Sequence, residues 1–465
     1  MQRILAIAGL TWKAALRFKL FLVIAALLIM AVVGLPLVIK DDGTAAGFTQ
    51  IILTYTLTVT ACLLGFSTLW LSCGTLARDI EECQIQVVAT KPIARWQIWL
   101  GKWLGIVSLN AVLLILAGAC IYGLLQWRAT KLPAAEQQIL RKQVLVARGS
   151  ARAVSDATQI RADADRIYQA RLDQNPQMHS LSNAEKDLVR NEILQQVLAD
   201  YQLVPPGYRR EWQINLSGVQ KYVRDQPLQL RIKFDTADHS PSGTFIGLWM
   251  VGDQSGTNLW ESEPMSLAPE TFHEFQVPAN LIDKKGMLTI DFFNGNSTAL
   301  LFPLDDGMEV LYPEGGFAMN FMRGLGIILC WLALLAALGL AAASFLSFPV
   351  AAFFSLAMMV LVFSSGALAE TVASGSVAVG NEEKGVAGHS SADLVLIPLF
   401  KVILTVIHFT TAISPIDLLS SGRAIAWTDL GLAFTHIVVF MGGIFIVIGI
   451  VLFNRRELAT AQGNQ

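Results

Sequence analysis

Apolar runs long enough for a membrane gather at the two ends of this chain, and a polar stretch separates them. The first set covers Phe21 to Val38, Ile51 to Cys73 and Leu104 to Leu125; the second covers Leu325 to Phe345, Val350 to Ala369 and Leu430 to Leu452. Each approaches the roughly 20 residues that a helix needs to cross hydrocarbon. The polar stretch from Gln126 to Asn320 holds most of the charge. This pattern predicts a polytopic α-helical membrane protein with six transmembrane helices and a large domain inserted between the third and fourth.

A seventh apolar run, Leu394 to Ile413, is interrupted by Lys401 and His408 and broken by Pro398 and Pro415. It is read as a re-entrant or interfacial hairpin, which membrane depth tolerates when protein buries it. The alternative is a further crossing, which would reverse the C-terminus. Lys401 and His408, seven apart, would share a helical face and touch a polar substrate or proton path; snorkelling to an interface explains Lys401 equally simply.

Basic residues mark the cytoplasmic side of a membrane. Arg3, Lys13, Arg17 and Lys19 precede the first run, Arg78, Lys91, Arg95 and Lys102 lie between the second and third, and Arg455 and Arg456 follow the last. The connections at Lys40 to Asp42 and Glu370 to Asp393 are neutral or acidic. Six crossings then put both termini inside and residues 126–320 outside. The segment before the first run reads as an amphipathic surface helix with Arg3, Lys13 and Arg17 on one side. That first run is too long for a signal peptide, and no small-x-small site follows Val38, so it is expected to be retained.

Composition sharpens the class. Of 465 residues, 54% are hydrophobic and 15% charged, and a net charge of -2 argues for no nucleic-acid partner. The five cysteines, Cys62, Cys73, Cys83, Cys120 and Cys330, all avoid the polar stretch, which must therefore hold together without disulfides.

Within that stretch, Leu132 to Tyr201 is charged and helical in pattern, with Ser182 and Glu185 placed as a capping box. Residues 126–204 are expected to form a helical arm, ended by Pro205-Pro206-Gly207. Residues 205–320 then read as short strands. Leu228, Leu230, Ile232 and Phe234 alternate with polar residues, and Phe245 to Val251, Phe272 to Val277, Met287 to Phe293 and Met308 to Leu311 follow, with Asn294-Gly295 as a hairpin turn. A β-sandwich of jelly-roll type is expected. Trp249 and Trp260 are candidate platforms for a glycan or protein ligand, with core packing as the plainer reading.

The connection from Gly74 to Gly105 carries the most information. Acidic Asp79, Glu81 and Glu82 lead into an alternating stretch through Val88; Lys91-Pro92 follows, Arg95 lies three residues on, and Leu100-Gly101-Lys102 enters the third apolar run. Pro92 suits the first turn of a helix, where its missing N–H is not needed. This order resembles the cytoplasmic loop of type 2 ABC-transporter permeases, particularly the permease branch of nitrous-oxide-reductase maturation systems. Pro92, Arg95, Leu100, Gly101 and Lys102 match residue by residue, Arg78 and Glu81 more loosely, and Phe453-Asn454-Arg455-Arg456-Glu457-Leu458 is similar to the family's ending. The likeness covers residues 1–125 and 321–460; the large outer insertion departs from it.

The resemblance implies a permease subunit of an exporter in the inner membrane of a bacterium, paired with a second permease subunit, identical or paralogous. ATP and magnesium would sit on a separate nucleotide-binding ATPase subunit. Glu81, Glu82, Lys91, Pro92, Arg95 and Lys102 would contact that subunit, charge orienting the docking more than strengthening it. An ordinary solvated turn is the plain alternative. The residues themselves agree in one respect: no G-x-x-x-x-G-K-[ST] phosphate cradle is present, nor H-E-x-x-H, C-x-x-C, G-x-S-x-G or G-x-G-x-x-G. His179, His239 and His273 lack metal-ligand spacing. The chain is thus expected to be no enzyme and to hold no cofactor or metal of its own. Besides export, two functions remain open: ATP-driven movement passed to an envelope protein or glycan without substrate passage, and a receptor or scaffold that presents the outer domain.

Overall fold

In the computed structural model the described residues are 2–17, 19–38, 44–81, 93–153, 157–175, 183–219, 223, 227–236, 243–252, 258–283, 285–304, 306–374, 393–411 and 414–456. They form two compact units, a helical one from Met1–Val146 with Gly316–Gln465, and a sheet-containing one from Ala147–Gly315. The first unit therefore keeps residues 126–146, which the sequence pattern assigns to the inserted arm.

The helical unit begins with α1 (Gln2–Arg17) and α2 (Leu20–Val38), a pair bent by 68°. Then come α3 (Ala45–Glu81), α4 (Arg95–Ala129) and the short α5 (Ala134–Ile139), extended by a π turn over Leu140–Val144. After the sheet unit the chain returns as α8 (Phe317–Ala343), α9 (Phe348–Phe363), α10 (Ser365–Ser374), α11 (Asp393–Thr411), α12 (Pro415–Ser420), α13 (Trp427–Ala433) and α14 (Gly443–Arg455). A π-helical stretch, Phe434–Gly442, joins the last two.

Among the described residues four helices are long and apolar enough to cross a membrane: Gly47–Glu81, Arg95–Ala129, Phe317–Ala343 and Trp427–Arg455. The bent α1–α2 pair makes a fifth candidate. The run expected at Val350 to Ala369 breaks at Ser364 into a 16-residue and a 10-residue helix, so six spans are not all present as single helices. Pro398 does not break α11, whose 19 residues continue through it although proline supplies no backbone N–H.

At 37 and 35 residues, α3 and α4 are longer than a membrane crossing requires. Such helices are roughly 55 Å long against roughly 30 Å of hydrocarbon. The connection read from sequence as a loop from Gly74 to Gly105 is consequently mostly helix, leaving only residues 82–94 between α3 and α4, and α4 starts at Arg95. Apolar periodicity under-reports a helix whose ends leave the bilayer, because those ends become polar.

In the sheet unit, strand β1 (Val146–Arg152) precedes the helical pair α6 (Ala157–Gln174) and α7 (Asn183–Gln202). Ile160 and Ala164 of α6 pack against Ile193 and Val197 of α7, so the arm exists as a hairpin of helices. The strand ahead of it was masked in the sequence by its polar composition. Ser182 lies outside the described residues.

The remaining strands are β2 (Leu203–Val204), β3 (Arg209–Asn215), β4 (Leu228–Ile232), β5 (Asp235–Thr236), β6 (Phe245–Gly252), β7 (Leu259–Glu261), β8 (Met265–Leu267), β9 (His273–Val277), β10 (Met287–Asn294), β11 (Leu300–Leu301) and β12 (Met308–Gly316). One sheet has the order β1-β12-β4-β9, a second β3-β10-β6-β7 with β8 also on β6, and a third, small one β2-β11-β5. Inward residues of the two larger sheets share one core, Leu228, Leu230 and Ile232 of β4 with Trp249, Val251, Ile290 and Phe292 of β6 and β10. Asn294-Gly295 is no hairpin turn, since β10 pairs with β3 and β6. Asn294 is instead wholly buried, donating from Nδ2 to the carbonyls of Val204 and Thr298.

Candidate functional site

The α3–α4 connection emerges where several helices end together, and the polar side chains there are bound to those ends. A helix leaves its last four carbonyls and first four N–H groups without internal partners. At this end of the bundle the charged residues supply them.

Arg95, first residue of α4, donates from Nη1 to the carbonyl oxygens of Phe453 (3.1 Å), Asn454 (2.9 Å) and Arg456 (2.9 Å), closing the C-terminus of α14. Arg456 in turn donates from Nη1 to Ala343 (3.3 Å), Ser344 (3.3 Å) and Leu346 (3.5 Å), closing the C-terminus of α8. A cation at a helix C-terminus also meets the negative end of the macrodipole. Lys102, about two turns further along α4, is buried and donates from Nζ to the Thr75 carbonyl (2.9 Å) and to Asp79 Oδ2 (2.5 Å) near the end of α3. Glu81 Oε1 accepts from the Phe348 backbone N–H (3.1 Å), capping α9. Between these groups, fully buried Trp99 donates from Nε1 to Ser344 Oγ (3.2 Å), and its ring lies against Gly449 so closely that a Cβ there would meet it at 2.9 Å.

The flank is tight as well. Ile7 and Thr11 of α1 pack against Gly101 and Gly105 of α4, where an added Cβ would come within 2.6 and 2.7 Å. Trp12 donates from Nε1 to Ser108 Oγ (2.8 Å). The Gly101-x-x-x-Gly105 spacing thus serves a close helix crossing.

The far end of the bundle has clasps of its own. Arg128 at the end of α4 donates to the Pro36 carbonyl of α2 (2.8 Å), and Glu136 caps α3 through the Ala45 N–H (2.8 Å). Asn320, in the first turn of α8, donates to the Arg423 carbonyl (2.7 Å) and accepts from Ile425 N–H (2.7 Å), just before α13. So α3, α8 and α14 finish where α4 and α9 begin, and α13 begins at the opposite end. This places the Arg455-Arg456 end beside the α3–α4 connection.

Among residues singled out from sequence, Glu81, Arg95 and Lys102 meet at one place, but each is engaged by this chain itself. Glu82, Lys91 and Pro92 lie outside the described residues. Lys401 is exposed on α11, and the side chain of His408 lies outside the described residues. Trp249 is no ligand platform: it is fully buried, with Phe292 at 4.6 Å, Phe275 at 5.9 Å and Phe302 at 5.9 Å between ring centroids. Trp260, at the edge, is partly covered and stacks on Phe275 at 6.1 Å. Asp79, Trp99 and Asn320 were missed, because a polar residue's value at a helix end depends on which helix arrives there. Among the described residues no group of three His, Cys, Asp or Glu side chains is placed to hold a metal ion.

No protein-family model matches this chain, and neither a curated protein nor a solved structure was found to match it. What stands is the coarser class: a membrane protein built from long apolar helices, carrying a unit of antiparallel sheets.

Proposed function

We propose that the chain is the membrane subunit of an ATP-binding-cassette system, driven by a separate ATPase subunit that engages residues 82–92 from the cytoplasm. The supporting observation is the setting of that connection. It springs from two helices that outrun the bilayer, beside the basic C-terminal pair, and both its flanks are bonded to the ends of other helices. A push on it would move α3, α4, α8 and α14 together, which is the rigid displacement such a drive needs.

In this reading α2, α3, α4, α8 and α13–α14 cross the inner membrane of a bacterium, and residues 348–411 make one net crossing, giving six. Both termini are cytoplasmic, the sheet unit is a jelly-roll-like sandwich outside, and a second permease subunit completes the complex. ATP and magnesium belong to the partner. Lys91 and Pro92 take over the docking role, since Arg95 and Lys102 have internal partners.

Export of an amphipathic substrate is the first form of this function. A second is transmission of movement to an envelope partner through the sheet unit, without substrate passage. Capture of the intact chain from native membranes, with Lys91→Glu and Pro92→Ala beside it, tests the shared claim. A P-loop ATPase lost from both variants is expected; its absence from the unaltered chain would sink the proposal. Transport into vesicles after removal of residues 147–315 separates the forms: survival favours export, loss favours transmission.

A further inference from the structure

Two pieces of sequence that stand 358 residues apart, the Pro-x-x-Arg step and the C-terminal Phe-Asn-Arg-Arg, meet in space through Arg95 and the Phe453 carbonyl. We infer that they form a two-stage lock, in which Arg95 holds the end of α14 and thereby presents Arg456 to the end of α8. Arg95 and Arg456 are positioning residues in this scheme, not partner contacts.

The order of the stages follows from the geometry. Arg95 reaches three carbonyls from one nitrogen, at 3.1, 2.9 and 2.9 Å, and one belongs to Arg456 itself. It therefore fixes the backbone from which the Arg456 side chain departs. Arg456 makes longer contacts, 3.3 to 3.5 Å, with Ala343, Ser344 and Leu346. Loss of the first contact releases the second, whereas loss of the second leaves the first intact.

The lock joins α4 to α8; α8 follows the inserted sheet unit directly, whereas α5 and its π turn stand between α4 and that unit. The Trp99–Ser344 bond and the Trp99–Gly449 contact reinforce the same junction from within the core. A displacement reaching Arg95 is thus shared by α4, α14 and α8. With the lock open, α4 and α8 would be held together only by the Trp99 contacts and the core packing between them.

Backbone amide exchange on the intact chain in detergent, read at residues 450–456 and at residues 344–346, tests the order of release. Arg95→Ala is expected to raise exchange at least tenfold at both places; Arg456→Ala should raise it at residues 344–346 alone. Arg95→Lys, a point charge with less reach, should restore part of the protection and serves if the alanine variant does not fold. Equal effects from both alanine variants, or no change in either, would overturn the lock.

Its role in coupling rests on the proposed ATPase, so a second arm uses the co-purified complex. Arg95→Ala should keep the ATPase bound and its KM for ATP unchanged, yet abolish the ATP-dependent change of exchange in residues 147–315. Loss of the ATPase with unchanged exchange would make Arg95 a docking residue and refute the positioning role. Failure of the unaltered chain to capture any ATPase would count against the proposed function and leave the exchange result standing.

Discussion

Charged side chains in the two units find different kinds of partner. In the sheet unit they pair with one another across strands: Arg148 with Glu274 at 2.7 Å, Arg231 with Glu309 at 3.4 Å, Arg209 with Asp291 at 2.7 Å. In the helical unit Arg95, Arg456 and Glu81 bond to backbone groups at helix ends, and Lys102 divides itself between a carbonyl and Asp79. The cause is where each architecture leaves hydrogen-bonding capacity unused. A strand inside a sheet spends its N–H and C=O groups on its neighbours, so a covered charge must meet an opposite charge. A helix bundle gathers orphaned carbonyls at its ends, and cations settle there.

This contrast implies that breaking a pair costs more in the sheet unit than at the bundle end. Glu309 is fully buried on β12 and faces both Arg231 (3.4 Å) and Arg152 (3.8 Å), so Glu309→Ala leaves buried Arg231 the more distant Glu274 (3.7 Å) and should destabilise by about 3 kcal/mol. Thermal unfolding of the intact protein, with protease cleavage within residues 147–315 as the local readout, checks it. Gly101→Val forces α1 away from α4 and should cost about 1–3 kcal/mol as overpacking, read as earlier cleavage of residues 2–17. Lys102→Met keeps the buried length but abandons Asp79, whose side chain is 32% exposed and regains water. A loss of about 1 kcal/mol is expected, well below that of Glu309→Ala. If Lys102→Met proves the more damaging, the contrast between the two regions fails. Least of all, Arg190→Ala removes an exposed arm pair, with side chains 58% and 50% exposed, and should shift stability by under about 1 kcal/mol.

The alternation of Leu228, Leu230 and Ile232 marked β4 without ambiguity because one face of that strand is core and the period of two is enforced. β1 escaped notice because its outward Arg148 and Arg152 and its small Gly149 and Ala151 give no such period; its partner β12 lies far along the chain. Arg95 and Lys102 were recognisable as candidates, but their bonds to the ends of other helices were not. A charge in a connecting segment looks free until the helices that end beside it are known. Trp249 shows the converse: a strand tryptophan advertises a binding surface or a core equally, and only the opposing sheet, supplying Phe275, decided for the core.

By itself the sequence determined that the chain carries long apolar helices on either side of a polar insertion, and that the basic residues cluster at one set of connections. Those properties are local sums of transfer energy and charge, and no neighbour alters them. Tertiary structure alone decided how far α3 and α4 extend, that α13 begins at the end of the bundle opposite to α9, and that two distant motifs close on each other. Each depends on which carbonyl, glycine or ring arrives from elsewhere in the chain. A one-dimensional pattern of residues does not contain that information.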